Sequence, residues 1–190
     1  MDAASASTCL LALGGNLPSL AGTPAETLRA ALRRLEAQGA GIEAVSRFFR
    51  TPCFPAGAGP DYVNAAARLR WAGSAAELLN LCHEVEAEFG RERGVRWGRR
   101  TLDLDIVALD DMVCPDAATQ ARWRDLPAEE QVRRTPEQLI LPHPRLQDRA
   151  FVLVPLCDVA PDWRHPLLGR TIAELAAKLP EKARNEVVPL

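Results

Sequence analysis

The chain has 190 residues, of which 47% are hydrophobic and 25% are charged. This length predicts a single domain with a sizeable core, since most single domains contain about 100–200 residues. The 23 basic and 25 acidic residues give a formal net charge of -2, which excludes the strong basic field of a protein that binds nucleic acid or anionic membranes non-specifically.

The first predicted elements are a strand, a helix and an extended segment. Residues 8–13 form an apolar run closed by two glycines and an asparagine, which is typical of a buried strand and a turn. Thr23 and Glu26, with a proline between them, form a capping box that predicts the start of a helix. Residues 42–50 are predicted to be extended. Residues 51–61 are predicted to form a loop because they hold three prolines and two glycines.

A second strand, helix and strand follow. Residues 62–70 alternate between apolar and polar side chains, which predicts a half-buried strand. A capping box at Ser74 and Glu77 predicts the next helix, and residues 101–109 predict another strand. The resulting order β-α-β-β-α-β is that of a ferredoxin-like α+β sandwich, in which helices pack on one face of an antiparallel sheet.

Residues 1–190 are expected to form one domain. The polar stretch 110–138 carries two weak helical patterns and is interpreted as an insertion before the last core elements. A capping box that begins at Thr171 predicts a helix near the C-terminus. The apolar run 150–156 is far shorter than the ~20 residues of a membrane span, and the N-terminus lacks the basic and apolar regions of a secretory signal. We therefore expect a cytoplasmic protein that does not bind membranes.

Two aspartates on the last of these strands carry the sharpest chemical signal. Side chains alternate along a strand, so Asp103 and Asp105 project from one face, about 6.6 Å apart, while the neighbouring leucines project into the core. Paired carboxylate oxygens suit Mg²⁺, which keeps several waters and is usually completed by substrate phosphates. The alternative is that each aspartate forms a salt bridge with a nearby arginine.

An arginine-rich loop precedes these aspartates. Residues 90–100 contain five arginines among glycines, which favours a segment that closes over a polyphosphate. Positioned cations stabilise the charge that accumulates on phosphoryl oxygens in the transition state. A solvated charged face and a surface for single-stranded nucleic acid are the alternatives. No Gly-x-x-x-x-Gly-Lys-Ser/Thr motif is present, so the chain is not a P-loop protein.

Aromatic and amide side chains offer a pocket for a flat heterocycle. The candidates for stacking are Phe54, Tyr62, Trp97 and Phe151, although each one alone is more typical of a packed core. Asn64 shares a strand face with Tyr62 and two arginines, and its amide offers both a donor and an acceptor to the edge of such a ring.

One histidine lies between two prolines that restrict the backbone on both sides. His143 could donate a hydrogen bond to a phosphate, as a neutral or a protonated imidazole, or it could be a structural hydrogen-bonding group. Arg149 follows six residues later. The five cysteines and three histidines show no zinc-binding spacing such as Cys-x-x-Cys, which disfavours a zinc ribbon.

The most specific signal is a series of motifs between residues 10 and 166. They are Leu-Ala-Leu-Gly-Gly-Asn (11–16), Thr51-Pro52, Asp61-Tyr62-Val63-Asn64-Ala65, Glu84-Val85-Glu86, Gly90-Arg91, Arg-Trp-Gly-Arg-Arg-Thr-Leu-Asp-Leu-Asp-Ile (96–106), Leu-Pro-His-Pro (141–144) and Arg149-Ala150-Phe151. In this order, the series resembles the 6-hydroxymethyl-7,8-dihydropterin pyrophosphokinase family, which transfers pyrophosphate from ATP to a pterin alcohol in folate biosynthesis.

The resemblance implies a role for each site residue, in a cytoplasmic enzyme that is a monomer. Asp103 and Asp105 would hold two Mg²⁺ ions that bridge the ATP phosphates, and Arg91 and Arg100 would complete the catalytic set. The residues implied to bind ATP are Glu86, Arg91, Arg93, Arg100, His143 and Arg149. The residues implied to bind the pterin are Thr51, Pro52, Phe54, Tyr62, Asn64, Trp97 and Phe151.

The chain departs from the family pattern at a few places. Gly15 stands where the family has serine, which is expected to be harmless in a turn, and Arg99 stands where the family has proline. The arginine-rich loop is a residue shorter and the stretch 110–138 is longer than usual. These departures bear on loop dynamics and turnover more than on the reaction.

Three alternative functions fit the sequence to different degrees. A nucleic-acid-binding module on the same fold is disfavoured by the acidic central strands. A two-metal phosphohydrolase would need more acidic or histidine ligands. A catalytically impaired paralogue that only binds pterin or nucleotide is compatible with the sequence.

Overall fold

The computed structural model describes residues 6–53, 59–90 and 100–190. Within these residues the sheet has six strands: β1 (Ser7–Gly15), β2 (Gly41–Val45), β3 (Phe49–Thr51), β4 (Tyr62–Trp71), β5 (Asp103–Leu109) and β6 (Val188–Pro189). All pairs are antiparallel, in the order β5-β1-β4-β3-β6, and β2 pairs with another part of β4.

Helices in the described part of the chain are α1 (Pro24–Ala37), α2 (Ala75–Glu88), α3 (Ala117–Arg124), α4 (Ala128–Arg133), α5 (Ala150–Val159), α6 (Ile172–Lys178) and α7 (Glu181–Asn185). The three predicted capping boxes, which begin at Thr23, Ser74 and Thr171, are confirmed at the N-termini of α1, α2 and α6. None of these helices has the length and apolar character needed to cross a membrane.

The predicted order β-α-β-β-α-β is confirmed, with one refinement in the extended segment 42–50. That segment forms two short strands, β2 and β3, which both pair with β4. Ser46 lies between them and stays bonded to β4: its N–H donates to the Ala66 carbonyl at 2.9 Å, and its Oγ accepts from the Ala66 N–H at 2.8 Å. The chain therefore keeps its direction along β4 from β2 to β3 and does not leave the sheet.

Helices cover both faces of the sheet, so the prediction of helices on one face was wrong. Helices α1 and α2 pack on the face that carries Leu11 and Leu13, and α5 and α6 pack on the face that carries Leu10 and Ala12. Because β1 is buried on both faces, its apolar residues run continuously and do not alternate. The apolar run 150–156 supplies most of α5.

The stretch 110–138 contains α3 and α4, which confirms the two weak helical patterns. Its base is closed by a pair of backbone hydrogen bonds between Cys114 and Leu141, at 2.9 and 3.0 Å. Buried Gln120 on α3 donates from Nε2 to the Pro142 carbonyl at 3.2 Å. The stretch is therefore attached to the turn that carries His143.

Candidate active site

A cleft of about 810 Å³ collects the residues that the sequence singled out. The predicted site residues that line it are Thr51, Pro52, Tyr62, Asn64, Glu86, Arg100, Asp103, Asp105, His143, Arg149 and Phe151. The remaining predicted residues, Phe54, Arg91, Arg93 and Trp97, lie outside the described residues. Side chains predicted for catalysis, for ATP binding and for pterin binding therefore line one cavity.

The two carboxylates line this cleft, while Leu102 and Leu104 are buried in the hydrophobic core, as alternation predicts. Each carboxylate lies beside an arginine. The Arg100 guanidinium is bonded to Asp103, and Arg149 Nη1 lies 3.7 Å from Asp105 Oδ2. The salt-bridge alternative is thus present in the structure.

The same carboxylates fit a hard cation that takes part of its coordination from a substrate. The described residues include no group of three His, Cys, Asp or Glu side chains that could hold a metal by themselves. Two carboxylates that open onto a wide cleft are the donor set that Mg²⁺ uses when waters and phosphate oxygens supply its other ligands. Asp103 and Asp105 therefore fit Mg²⁺ together with a polyphosphate.

Asn16 positions Arg100 at the entrance to β5. The Arg100 N–H donates to Asn16 Oδ1 at 3.0 Å, and the Asn16 N–H donates to the Arg100 carbonyl at 2.9 Å. Burial lowers the pKa of Arg100, but the carboxylates of Asp103 and Asp105 more than offset this, so its pKa lies above the ordinary value. Arg100 is thus held in place as a permanent cation.

An amide and a hydroxyl form a buried polar pair at the β3–β4 side of the cleft. Asn64 is only 5% exposed, and its Nδ2 donates to Thr51 Oγ1 at 2.7 Å. A Cβ at Gly14 would lie 2.9 Å from Asn64 Oδ1, so glycine at that position leaves room for the amide. The pair offers fixed hydrogen-bonding groups to the edge of a flat ring.

Two aromatic side chains, Tyr62 and Phe151, also line the cleft. Phe151 is 40% exposed, with the Arg149 guanidinium 5.7 Å from its ring centre, so it belongs to the cleft wall and not to the core. Tyr62 is half-buried, and burial raises the pKa of its hydroxyl. These two aromatic side chains therefore line the cleft and are not packed in the hydrophobic core.

His143 is a neutral hydrogen-bond donor. Its Nδ1 accepts from the Arg145 N–H at 3.0 Å, which leaves the proton of a neutral imidazole on Nε2. Burial lowers its pKa to about 3, and the charges of Arg149 and Arg145 act in the same direction. Of the two protonation states allowed by the sequence, the structure favours the neutral one.

Comparison with known proteins assigns the chain to a family. Residues 10–161 match the family model described as 7,8-dihydro-6-hydroxymethylpterin-pyrophosphokinase (HPPK). The chain belongs to the HPPK family. A 2-amino-4-hydroxy-6-hydroxymethyldihydropteridine pyrophosphokinase from Pseudomonas aeruginosa is 38% identical over 172 residues, which are 90% of this chain and 90% of that protein. Its counterpart from Synechocystis is 36% identical over 181 residues, which are 95% of this chain and 80% of that protein.

Solved structures show the same fold. The HPPK-DHPS of Plasmodium falciparum, as a triple mutant, superposes with a TM-score of 0.63 over 93% of this chain, at 16% sequence identity. This chain spans 45% of the length of that protein. At this identity the likeness supports the α+β architecture alone.

Several residues that no sequence pattern singled out also line the cleft. Arg145 lies two residues after His143, and His83 lies one helical turn before Glu86, so proximity to selected residues could have indicated both. Trp123 and Arg134 come from the stretch 110–138. No motif marked either of them, because the helical pattern of that stretch is weak.

Glu86 is expected to stabilise β5 as a positioning residue. Its side chain is 1% exposed, and its Oε1 accepts from the Leu104 N–H at 2.8 Å, between the two aspartates. Glu86→Ala should lower the free energy of unfolding by about 2–3 kcal/mol, since a buried N–H loses its acceptor. Urea unfolding measures this, and Glu86→Gln, which keeps an acceptor oxygen, should recover most of the loss. An alanine variant as stable as the wild type would contradict the assignment.

The neutral state of His143 predicts how stability depends on pH. Because its folded pKa of about 3 lies below the ordinary value, the unfolded chain binds its proton first. The associated stability is complete above about pH 6.5 and is lost as the pH falls toward 3. Imidazole NMR, assigned with His143→Gln, should show no protonation of His143 down to pH 5. A titration midpoint near the ordinary value would contradict the prediction.

Proposed function

We propose that the protein transfers pyrophosphate from ATP to 6-hydroxymethyl-7,8-dihydropterin. The hydroxymethyl oxygen attacks the β-phosphorus, the bond from that phosphorus to the α,β-bridging oxygen breaks, and the products are AMP, the pterin diphosphate and a proton. The observation that carries the proposal is the shared cleft: carboxylates, arginines and a polar–aromatic pocket line one cavity in a member of the HPPK family.

The pterin would lie at the β3–β4 side of the cleft. Asn64 and Thr51 present a fixed amide and hydroxyl to the edge of the ring, and Tyr62 and Phe151 border it with aromatic faces. Holding the acceptor in one orientation next to the phosphates replaces a bimolecular encounter with a positioned one, which accounts for a large part of the rate enhancement in such transfers. Phe54 and Trp97 would complete this pocket.

The phosphates would lie over β5. Asp103 and Asp105 would hold two Mg²⁺ ions, which when bound supply positive charge to the phosphate oxygens. Arg100 and Arg149 stand beside the carboxylates and can bind phosphate oxygens in a bidentate manner. Neutral His143 donates from Nε2 to an oxygen without adding charge. Arg91 and Arg93 complete the proposed ATP-binding set, to which Glu86 contributes indirectly by holding β5 through the Leu104 N–H.

Product analysis tests this proposal directly. Purified protein is incubated with ATP, Mg²⁺ and 6-hydroxymethyl-7,8-dihydropterin, and the nucleotide products are separated by chromatography. Pterin-dependent AMP in equal amounts with pterin diphosphate is expected. ADP would indicate transfer of a single phosphoryl group. Tight pterin binding without any AMP would indicate a paralogue that binds without catalysis, and either result would overturn the proposal.

We expect a single domain over residues 1–190, with residues 110–138 as an insertion in it. We also expect a cytoplasmic monomer whose partners are the two small substrates and not nucleic acid or membrane. Gel filtration with light scattering tests the oligomeric state.

A further inference from the structure

The stretch 110–138 reaches the same cleft as the catalytic candidates. Trp123, at the end of α3, and Arg134, which follows α4, both line it. The Arg134 guanidinium lies 5.5 Å from the centre of the Trp123 ring, which pairs a cation with an aromatic face. Outside this stretch, Leu79 and Ile106 add apolar surface to the same cleft. The stretch thus contributes flat and apolar groups to the wall of the cleft.

The order of strands places this wall at the far end of the cleft from the proposed pterin pocket. Thr51 and Asn64 lie on β3 and β4, whereas the carboxylates lie on β5, which is an edge strand of the described sheet. The His143 N–H donates to the Val107 carbonyl of β5 at 2.8 Å, on the edge that faces away from β1. The chain leading into this contact, together with α3 and α4, therefore lies beyond β5.

The geometry of phosphoryl transfer indicates which part of ATP occupies the end of the cleft beyond β5. In an in-line displacement the attacking oxygen and the leaving oxygen lie on opposite sides of the phosphorus. If the acceptor approaches from β3 and β4, the leaving group, which is AMP, points beyond β5. The nucleoside then meets the wall that contains Trp123 and Arg134.

The wall is anchored to the site and is not a loosely attached arm. The hydrogen bond from Gln120 Nε2 to the Pro142 carbonyl ties α3 to the residue before His143. Gln120 Oε1 also accepts from Arg124 Nη1 at 3.2 Å, and the paired backbone hydrogen bonds between Cys114 and Leu141 close the base of the stretch. Trp123 lies on α3 between Gln120 and Arg124, the two residues that make these side-chain hydrogen bonds.

We propose that Trp123 and Arg134 form the nucleoside-binding wall of the donor site, with the base packed against the indole and guanidinium planes. This inference rests on the proposed function. It assigns to the stretch 110–138 a role in selecting the nucleotide, separate from the role of the residues that bind phosphates.

Calorimetric titration of the full chain distinguishes nucleoside contacts from phosphate contacts. The probes are α,β-methylene-ATP, which cannot be cleaved at the reacting position, and inorganic tripolyphosphate, both with Mg²⁺. Trp123→Ala and Arg134→Ala should each raise the Kd of the ATP analogue at least about fivefold, as expected for loss of stacking, and leave that of tripolyphosphate within about twofold. Arg122→Ala is the matched control, since Arg122 bonds Thr119 at 3.0 Å on the same helix and is not among the described residues of the cleft.

The outcomes separate this inference from the proposed function. An unchanged Kd for the analogue in both variants would overturn the inference, as would equal weakening of both probes. Arg134 is exposed, so its variant tests the inference even if Trp123→Ala unfolds. If the wild type forms no AMP but binds the analogue through Trp123 and Arg134, the proposed function fails and the nucleoside wall stands.

Discussion

Replacing Asp105 with alanine is expected to reduce pyrophosphoryl transfer by about 10³-fold, as loss of a preorganised charge-stabilising group does in other enzymes. The carboxylate is 40% exposed in the cleft, where we propose that it binds Mg²⁺ and, through it, the phosphates. Its pairing with Arg149 is long and partly solvated, so its loss should change the free energy of unfolding by only about 0–1 kcal/mol. Steady-state production of AMP and thermal unfolding measure the two effects.

The control for this variant is Asp111→Ala. Asp111 is an exposed carboxylate a few residues beyond Asp105, just after β5, so its removal changes net charge equally without touching the cleft. Asp105→Asn keeps the shape but removes the charge, and it should lose nearly as much activity as the alanine variant. Turnover of Asp105→Ala within tenfold of the wild type would refute the assignment of Asp105 as a metal ligand.

Local patterns predicted much of the fold and the centre of the site. The capping boxes at Thr23, Ser74 and Thr171 predict helix starts because their side chains satisfy backbone groups within a single turn, without help from the rest of the molecule. Strand alternation predicts that Asp103 and Asp105 share a face because the period of two is a property of the backbone. Both kinds of signal depend only on neighbours in sequence.

Features that depend on contacts distant in sequence were not predictable in the same way. The apolar run 150–156 suits a buried strand as well as a buried helix, so its packing as α5 on the second face of the sheet could not be derived from periodicity. The clamp between Asn16 and Arg100 joins residues 84 positions apart. Both residues stand in motifs that carry the family resemblance, but only Arg100 was predicted to belong to the site, and the fold shows that Asn16 positions it.

Gly15 shows how a residue that looks neutral in sequence acquires a role from a distant contact. A Cβ at this position would lie 2.5 Å from the Thr101 carbonyl oxygen and 3.3 Å from its carbon. Both atoms belong to the backbone, so a small movement of a side-chain tip cannot relieve the overlap. The glycine thus allows the segment that carries Arg100 to approach the end of β1, where Asn16 binds it.

Gly15→Ala is therefore expected to lower the free energy of unfolding by about 1–3 kcal/mol, the usual cost of forcing extra atoms into a packed site. The segment at Arg100 must shift to admit the methyl group, so transfer activity should also fall, at constant Kd for the pterin. Gly41→Ala on β2 is the matched control, because its Cβ would meet Arg70 at an ordinary 3.4 Å. Urea unfolding and AMP production compare the two variants. Equal stability and activity in both variants would mean that the backbone at Thr101 can shift without loss of stability. The close approach at Gly15 would then not position Arg100.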